Sequence, residues 1–146
     1  MDAFFYETFA EEAQCLKQYI PESVKPGFTW KTIQESGHKV PPAGLISIRT
    51  QSRVPESWAK DLAGILTRST GYDHILAFLQ ESSVDVPCGH LPPYCSRSVA
   101  EHAMLVWTAL LRKLAAQIDS FFRFDREGLT GRECKGKTLL VVGVGN

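Results

Sequence analysis

Two apolar runs, each ending in a polar turn, constrain the fold of this chain more than any other feature. AGLISIRT, Ala43 to Thr50, carries Leu45, Ile46 and Ile48 almost without interruption. A strand with one wet face alternates apolar and polar residues, whereas a near-continuous run requires cover on both faces, as inside a parallel sheet. GILTRSTGYDHI repeats the plan, with a strand at Ile65 to Thr67 and a turn at Ser69 to Gly71. Between them VPESWAKDL predicts a helix from Val54. Pro55 falls in its first turn, where a missing N–H costs nothing, and Glu56 faces the positive end of the dipole. Strands and helices in alternation with short polar connections define an α/β fold.

The flanking segments extend the pattern. Ala3 to Tyr6 reads as a short buried strand, and in FAEEAQCLKQYI the residues Phe9, Ala13, Leu16 and Ile20 share one helical face until Pro21. Gly27 to Thr32 is expected as a second strand, Glu35 to Lys39 as a polar turn or short helix, and Pro41-Pro42 as a break. SVAEHAMLVWTALLRKLAAQI, from Ser98 to Ile118, predicts one long helix whose stripe is Val99, Ala103, Val106, Leu110, Leu114 and Ile118. Ser98 and Glu101 have the spacing of a capping box. A polar connector with Gly128, Gly131 and Gly136 leads to a final predicted strand, Thr138 to Val142.

Charge and targeting signals narrow the function. The 16 lysines and arginines balance the 16 aspartates and glutamates, so no global field favours nucleic acid or anionic lipid. No stretch approaches the roughly 18 apolar residues of a membrane span, and MDAFFYETF lacks the layout of a signal peptide, so a cytoplasmic location is expected. The four cysteines form no CxxC pair and are expected as reduced thiols. Cys88, His90 and Cys95 are close in sequence but have no fourth ligand at zinc-site spacing, so no metal is expected. No G-x-S-x-G elbow is present.

The last residues, VVGVGN, are a strand entering a G-x-G turn. In the dinucleotide fingerprint the first glycine permits the turn and the second lets amides approach a pyrophosphate. The third glycine, the following helix and the acidic residue about 20 positions on, which would hold the ribose, are not in the sequence. Together with GYDHI (Gly71–Ile75) and PYCSRSVAEHAMLVWTALLRK (Pro93–Lys113), GLTGRECKGKTLLVVGVGN resembles the NAD-dependent D-isomer-specific 2-hydroxyacid dehydrogenases. The similarity runs from about Pro42 to the end, and its specific part is the AEHA helix followed by G-x-E-x-x-G-K-T-L and GVGN.

The resemblance implies a flavodoxin-like substrate-binding domain over residues 1–96. Residues 97–146 would then be the long first helix and first strand of an incomplete Rossmann domain, truncated within its fingerprint. It places a substrate carboxylate on the amides of Thr70 and Gly71, with Arg49 and Tyr94 lining the pocket. It sets Gly143, Gly145 and Asn146 under the pyrophosphate of NAD or NADP, and makes the 98–118 helix a homodimer contact. Amides gathered in a turn make an anion nest, and a guanidinium can grip a carboxylate with two hydrogen bonds. Asp73 is expected to cap its loop.

The family's catalytic arginine, acidic residue and histidine lie past the fingerprint, so no catalytic residue is assigned. His102 is read as a structural helix residue, and His38, His74 and His90 have no partner carboxylate at a recognisable spacing. The expected function is the N-terminal portion of an enzyme passing hydride between NAD(H) and a 2-hydroxy or 2-oxo acid, itself inactive. The alternative is a non-catalytic assembly module of the same ancestry, with a terminal strand frayed, paired with another chain, or docked on the long helix.

Overall fold

The structure, a computed structural model, describes residues 1–143 and divides into two compact units, Met1–Tyr94 and the segment from Cys95 onward. The first unit is an α/β layer around five parallel strands: β1 (Ala3–Phe5), β2 (Pro26–Phe28), β3 (Leu45–Ile48), β4 (Gly64–Thr67) and β5 (Cys88–Gly89). Their order in the sheet is β2-β1-β3-β4-β5. Helices α1 (Ala10–Tyr19), α2 (Ile33–Ser36) and α3 (Asp73–Ser82) lie in the connections. Because β1 is followed outward by β2 and β3 is followed outward by β4, the chain leaves the β1–β3 pair in opposite directions. That divergence creates a crevice at the carboxyl end of the sheet.

Burial follows the strand period. Ile46 pairs with Ile65 and Ile48 with Thr67 in register, and all four are 0–2% exposed. Against this face pack Trp58, Ile75, Phe78 and Leu62, in one cluster with Phe4 and Tyr6. The opposite face is more open than the apolar run predicts: Leu45 is 45% and Leu66 36% exposed. On that face the side chains lie across glycines of the next strand, so a Cβ at Gly64 would come 3.2 Å from Leu45 and one at Gly89 3.2 Å from Leu66.

The helix predicted from Val54 is only a single 3-10 turn, Glu56–Trp58. Trp58 is buried in the core with its indole N–H donating to the Lys39 carbonyl, and Ala63 already donates to Gly44 at the entry to β4. The connection is thus pinned at both ends before a second helical turn can form. The capping box occurs elsewhere than expected: Thr32 and Glu35 cap α2 reciprocally, and Gly37, at φ +73, closes it.

The second unit departs further from its prediction. Helix α4 (Ser96–Leu111) begins after Cys95 without a side-chain cap, so the Ser98–Glu101 box is not formed. The expected single helix is broken at Lys113, whose φ of +56 is left-handed, before α5 (Leu114–Phe121) resumes. The carbonyls freed by the break are retaken: Arg132 N–H donates to Leu111 at 2.8 Å and the Gln117 amide to Arg112 at 2.8 Å. Lys113 Nζ reaches the Gly128 carbonyl at 2.7 Å. This loop approaches so closely that a Cβ at Gly131 would stand 2.8 Å from the Arg112 Cα.

Residues 138–142 form no strand among the described residues, which corrects the expected terminal strand. A strand needs a neighbour for its N–H and C=O groups, and the described residues supply none. Leu140 and Val142 stand 83% and 87% exposed. No helix of the described residues is long and apolar enough to cross a membrane.

Candidate functional site

Charged side chains follow immediately after three apolar strands, and the sheet brings them together at its carboxyl end. Arg68, one residue beyond β4, is 7% exposed. Its Nε donates to Glu12 at 2.8 Å and its Nη1 to Ser47 Oγ at 2.9 Å. Nη2 donates to the Tyr6 carbonyl at 2.8 Å and to Thr8 Oγ1 at 2.9 Å, with a longer contact to the Glu7 carbonyl. A planar guanidinium with fixed donors suits this role, since it satisfies several buried acceptors from different strands at once.

Glu7, just past β1, is also buried. Its carboxylate accepts from the backbone N–H groups of Arg49 at 2.9 Å, Gln51 at 3.1 Å and Ser52 at 3.1 Å. The loop after β3 therefore forms an anion nest that the protein fills with its own side chain. Glu7 adopts φ +52, a left-handed conformation costly for a residue that carries a Cβ, and its three charge-assisted bonds offset that strain.

Arg49 is half-buried. Its guanidinium has a 3.9 Å ion pair with Glu12. Glu12 Oε2 itself is buried without a hydrogen bond, while Oε1 belongs to Arg68. Arg49 opens onto a cavity of about 390 Å³ lined also by Phe9, Trp30, Thr32, Glu35 and Thr50. This cavity lies over the carboxyl ends of β1, β2 and β3, at the crevice that the topology creates.

The Thr70–Gly71 turn follows β4, the neighbouring strand. The Gly71 carbonyl accepts from Ser69 Oγ at 2.7 Å, and the Thr70 carbonyl contacts His90 Nδ1 at 3.2 Å. Among the described residues no hydrogen bond uses the Gly71 N–H, and a Cβ added at Gly71 would meet no atom within 4 Å. The Tyr72 ring lies tilted at 47° against His90 with centroids 4.5 Å apart, beside the turn. Asp73 begins α3 in the first turn, next to the turn it was expected to cap, but Tyr72 occupies the cap position.

His74 contacts Thr67 Oγ1 through Nε2 at 3.0 Å, and Thr67 is also bonded to Ser69. Burial holds the His74 pKa below its ordinary value, against the opposing pull of Glu7 and Asp73, so the neutral imidazole is favoured. Burial, with Asp85 nearby, pushes the Cys88 thiol up, which makes it a poor nucleophile.

Of the residues singled out by sequence, Arg49 lines the cavity, while Thr70 and Gly71 form the turn on the adjacent strand. Tyr94 is 53% exposed at the end of the first unit and lines neither. Gly143 has φ +86, a conformation a tight turn demands and glycine alone adopts freely. Gly145 and Asn146 lie outside the described residues. Glu7, Glu12 and Arg68 were missed. Their readable signal is positional: an acid or a base directly after an apolar run, at the end of the sheet where ligands of α/β folds bind.

No protein-family model and no curated protein matches the sequence. The fold, however, matches solved structures. The apo D-lactate dehydrogenase of Escherichia coli aligns with a TM-score of 0.71 at 20% identity, over 90% of this chain and 44% of that one. The D-lactate dehydrogenase of Aquifex aeolicus, complexed with NAD and lactic acid, aligns at 0.65 and 22% identity over 90% and 41%. The pyruvate reductase of Chlamydomonas reinhardtii aligns at 0.71 and 20% identity, over 91% and 42%. The chain therefore has the α/β fold of part of these dehydrogenases and spans less than half of their length.

Proposed function

We propose that this chain is the acid-binding portion of an NAD-dependent 2-hydroxyacid dehydrogenase of the D-isomer-specific family. The observation that carries this reading is the Gly71 N–H, in a turn at the carboxyl end of β4, which no hydrogen bond among the described residues uses. An unspent amide in a turn is a ready partner for the carboxylate of a 2-oxo acid. Thr70 shares that turn, and Arg49, at the end of the neighbouring strand β3, lines the cavity over the strand ends. The Arg68–Glu12–Glu7 network holds the strand ends in register beneath it, so the turn is presented rigidly.

In the whole enzyme a bound NADH would supply the hydride, and the G-x-G residues Gly143, Gly145 and Asn146 would hold its pyrophosphate. The chain's own residues bind and orient the acid. The residues that move a proton at the substrate oxygen belong to the family's segment past the fingerprint, so the 146-residue chain does not turn over alone. Two copies pair through residues 98–118, in α4 and α5, in a cytoplasmic enzyme, without nucleic acid or membrane.

The test is a pyruvate titration followed by amide NMR. A saturable shift of the Gly71 N–H without NADH oxidation is the expected result. Turnover by the purified chain would overturn the inactivity, and an unmoved Gly71 amide would overturn the carboxylate assignment.

A second reading, a non-catalytic assembly module, draws support from the exposed apolar residues of α4 and α5, among them Leu110 at 74% and Phe121 at 75%. It predicts self-association with no acid binding by any amide of the first unit.

A further inference from the structure

We infer that the cavity at the β1–β3 divergence receives an aromatic side chain of the acid, making the substrate class aryl-bearing 2-oxo acids rather than pyruvate. This inference rests on the reading that the Gly71 turn holds the carboxylate. Two large rings line the cavity and are spent on nothing else within the first unit's core: Phe9 is 58% and Trp30 63% exposed. They come from separate connections, Phe9 after β1 and Trp30 after β2, and Arg49 arrives from the loop after β3. An indole, a phenyl and a guanidinium plane are the three surfaces on which a flat ring stacks well.

The charges of the cavity support the same occupant. Its two carboxylates are already committed. Glu7 is held by three backbone amides, and Glu35 caps α2 through the Thr32 N–H and hydroxyl. Those hydrogen bonds keep the Glu35 pKa below its ordinary value. The cation of the lining is less committed: Arg49 has one 3.9 Å ion pair. The cavity thus offers aromatic faces beside one guanidinium, and its volume of about 390 Å³ exceeds what the methyl group of pyruvate would fill. A cavity of this size falls in the roughly 300–1,000 Å³ range of small-molecule sites. Arg49 follows β3, the strand paired with the one that carries the Gly71 turn, so carboxylate and ring are assigned to adjacent strand ends.

The experiment compares phenylpyruvate with pyruvate on the full chain, reading the Gly71 amide and the Trp30 indole N–H in one NMR spectrum. Trp58, buried with its indole bonded to Lys39, is the internal control. The expected result is that both acids shift Gly71, only phenylpyruvate shifts Trp30, and Trp58 stays put. Phe9→Ala and Trp30→Ala should each weaken phenylpyruvate about threefold to tenfold, the range for losing one aromatic contact, and leave pyruvate unchanged. Both residues are exposed, so the variants should fold. If Gly71 shifts with both acids while Trp30 does not move, or if the variants weaken both acids equally, the aryl assignment is overturned and the carboxylate reading stands. If neither acid moves Gly71, the carboxylate reading fails and takes this inference with it.

Discussion

The two units of this chain use similar apolar patterns to opposite effect. In Met1–Tyr94, apolar residues at strand and helix spacing end in a closed cluster, with Ile46, Ile48 and Tyr6 fully buried. From Cys95 onward the stripe is equally regular, yet α4 contains no buried residue, and Val99, Met104, Leu105 and Leu110 are 60–74% exposed. The lesson is that periodicity records which face a helix was selected to bury, whereas burial itself depends on what supplies the other side. An apolar stripe left open on this scale is the feature on which the proposed pairing of two copies rests.

Arg68 offers the hardest test of the claim that the first unit is a self-sufficient core. Arg68→Met keeps the volume of the stem but leaves Glu12, Ser47 Oγ and the Tyr6 carbonyl without their donor. Removing one partner of a buried ion pair costs about 3–5 kcal/mol. Urea unfolding followed by Trp58 fluorescence should show that loss in the first unit, while the helical signal of α4 and α5 is unchanged. A loss below about 1 kcal/mol would mean that the network is solvated and the core less closed than described.

Tyr6→Phe sharpens the same claim with pH. Burial pushes the Tyr6 phenol up from its ordinary 10.0 to about 12, the Ser36 side chain acting weakly in the other direction. The folded state therefore holds a proton that the unfolded chain releases, so stability is complete below pH 10 and falls as pH rises toward 12. The variant should lose about 0.5–1.5 kcal/mol at neutral pH, the worth of the 2.7 Å bond to His38. It should also unfold less steeply over that alkaline window. An unchanged alkaline transition would show that Tyr6 is not the group responsible.

Much of the first unit was legible because its signals are local. Apolar runs bounded by turns gave the positions of β1, β3 and β4, and Phe9, Ala13 and Leu16 marked α1. The short helix near Val54 was misjudged because proline and an acid at a helix start say nothing of its length, which Trp58 and Lys39 settle through a contact between separate segments. The break at Lys113 was invisible for a related reason. Neither Arg112 nor Lys113 is a helix breaker, and the break is stabilised by Arg132, Gln117 and the close approach of Gly131. At the site, Arg49 and Gly71 were proposed by resemblance, whereas Arg68 and Glu7 act through partners more than 40 residues away, which spacing alone does not reveal.

Leu110 tests the open side of the comparison, with the smallest effect on folding. It is 74% exposed on α4 and borders an apolar groove with Val99, Val106 and Leu139. An exposed leucine contributes little to its own unit, so Leu110→Ser should change the stability of the dilute, monomeric chain by no more than about 0.5 kcal/mol. Association should respond differently. Under the proposal that residues 98–118 of α4 and α5 pair two copies, sedimentation at rising concentration should show the parent chain dimerising and the variant remaining monomeric, because a polar group within an apolar contact must be desolvated without a partner. Two results would break the contrast between the units. A loss of more than about 1 kcal/mol in the monomer would place Leu110 in a core of its own unit. Equal association of parent and variant would move the contact away from this face of α4.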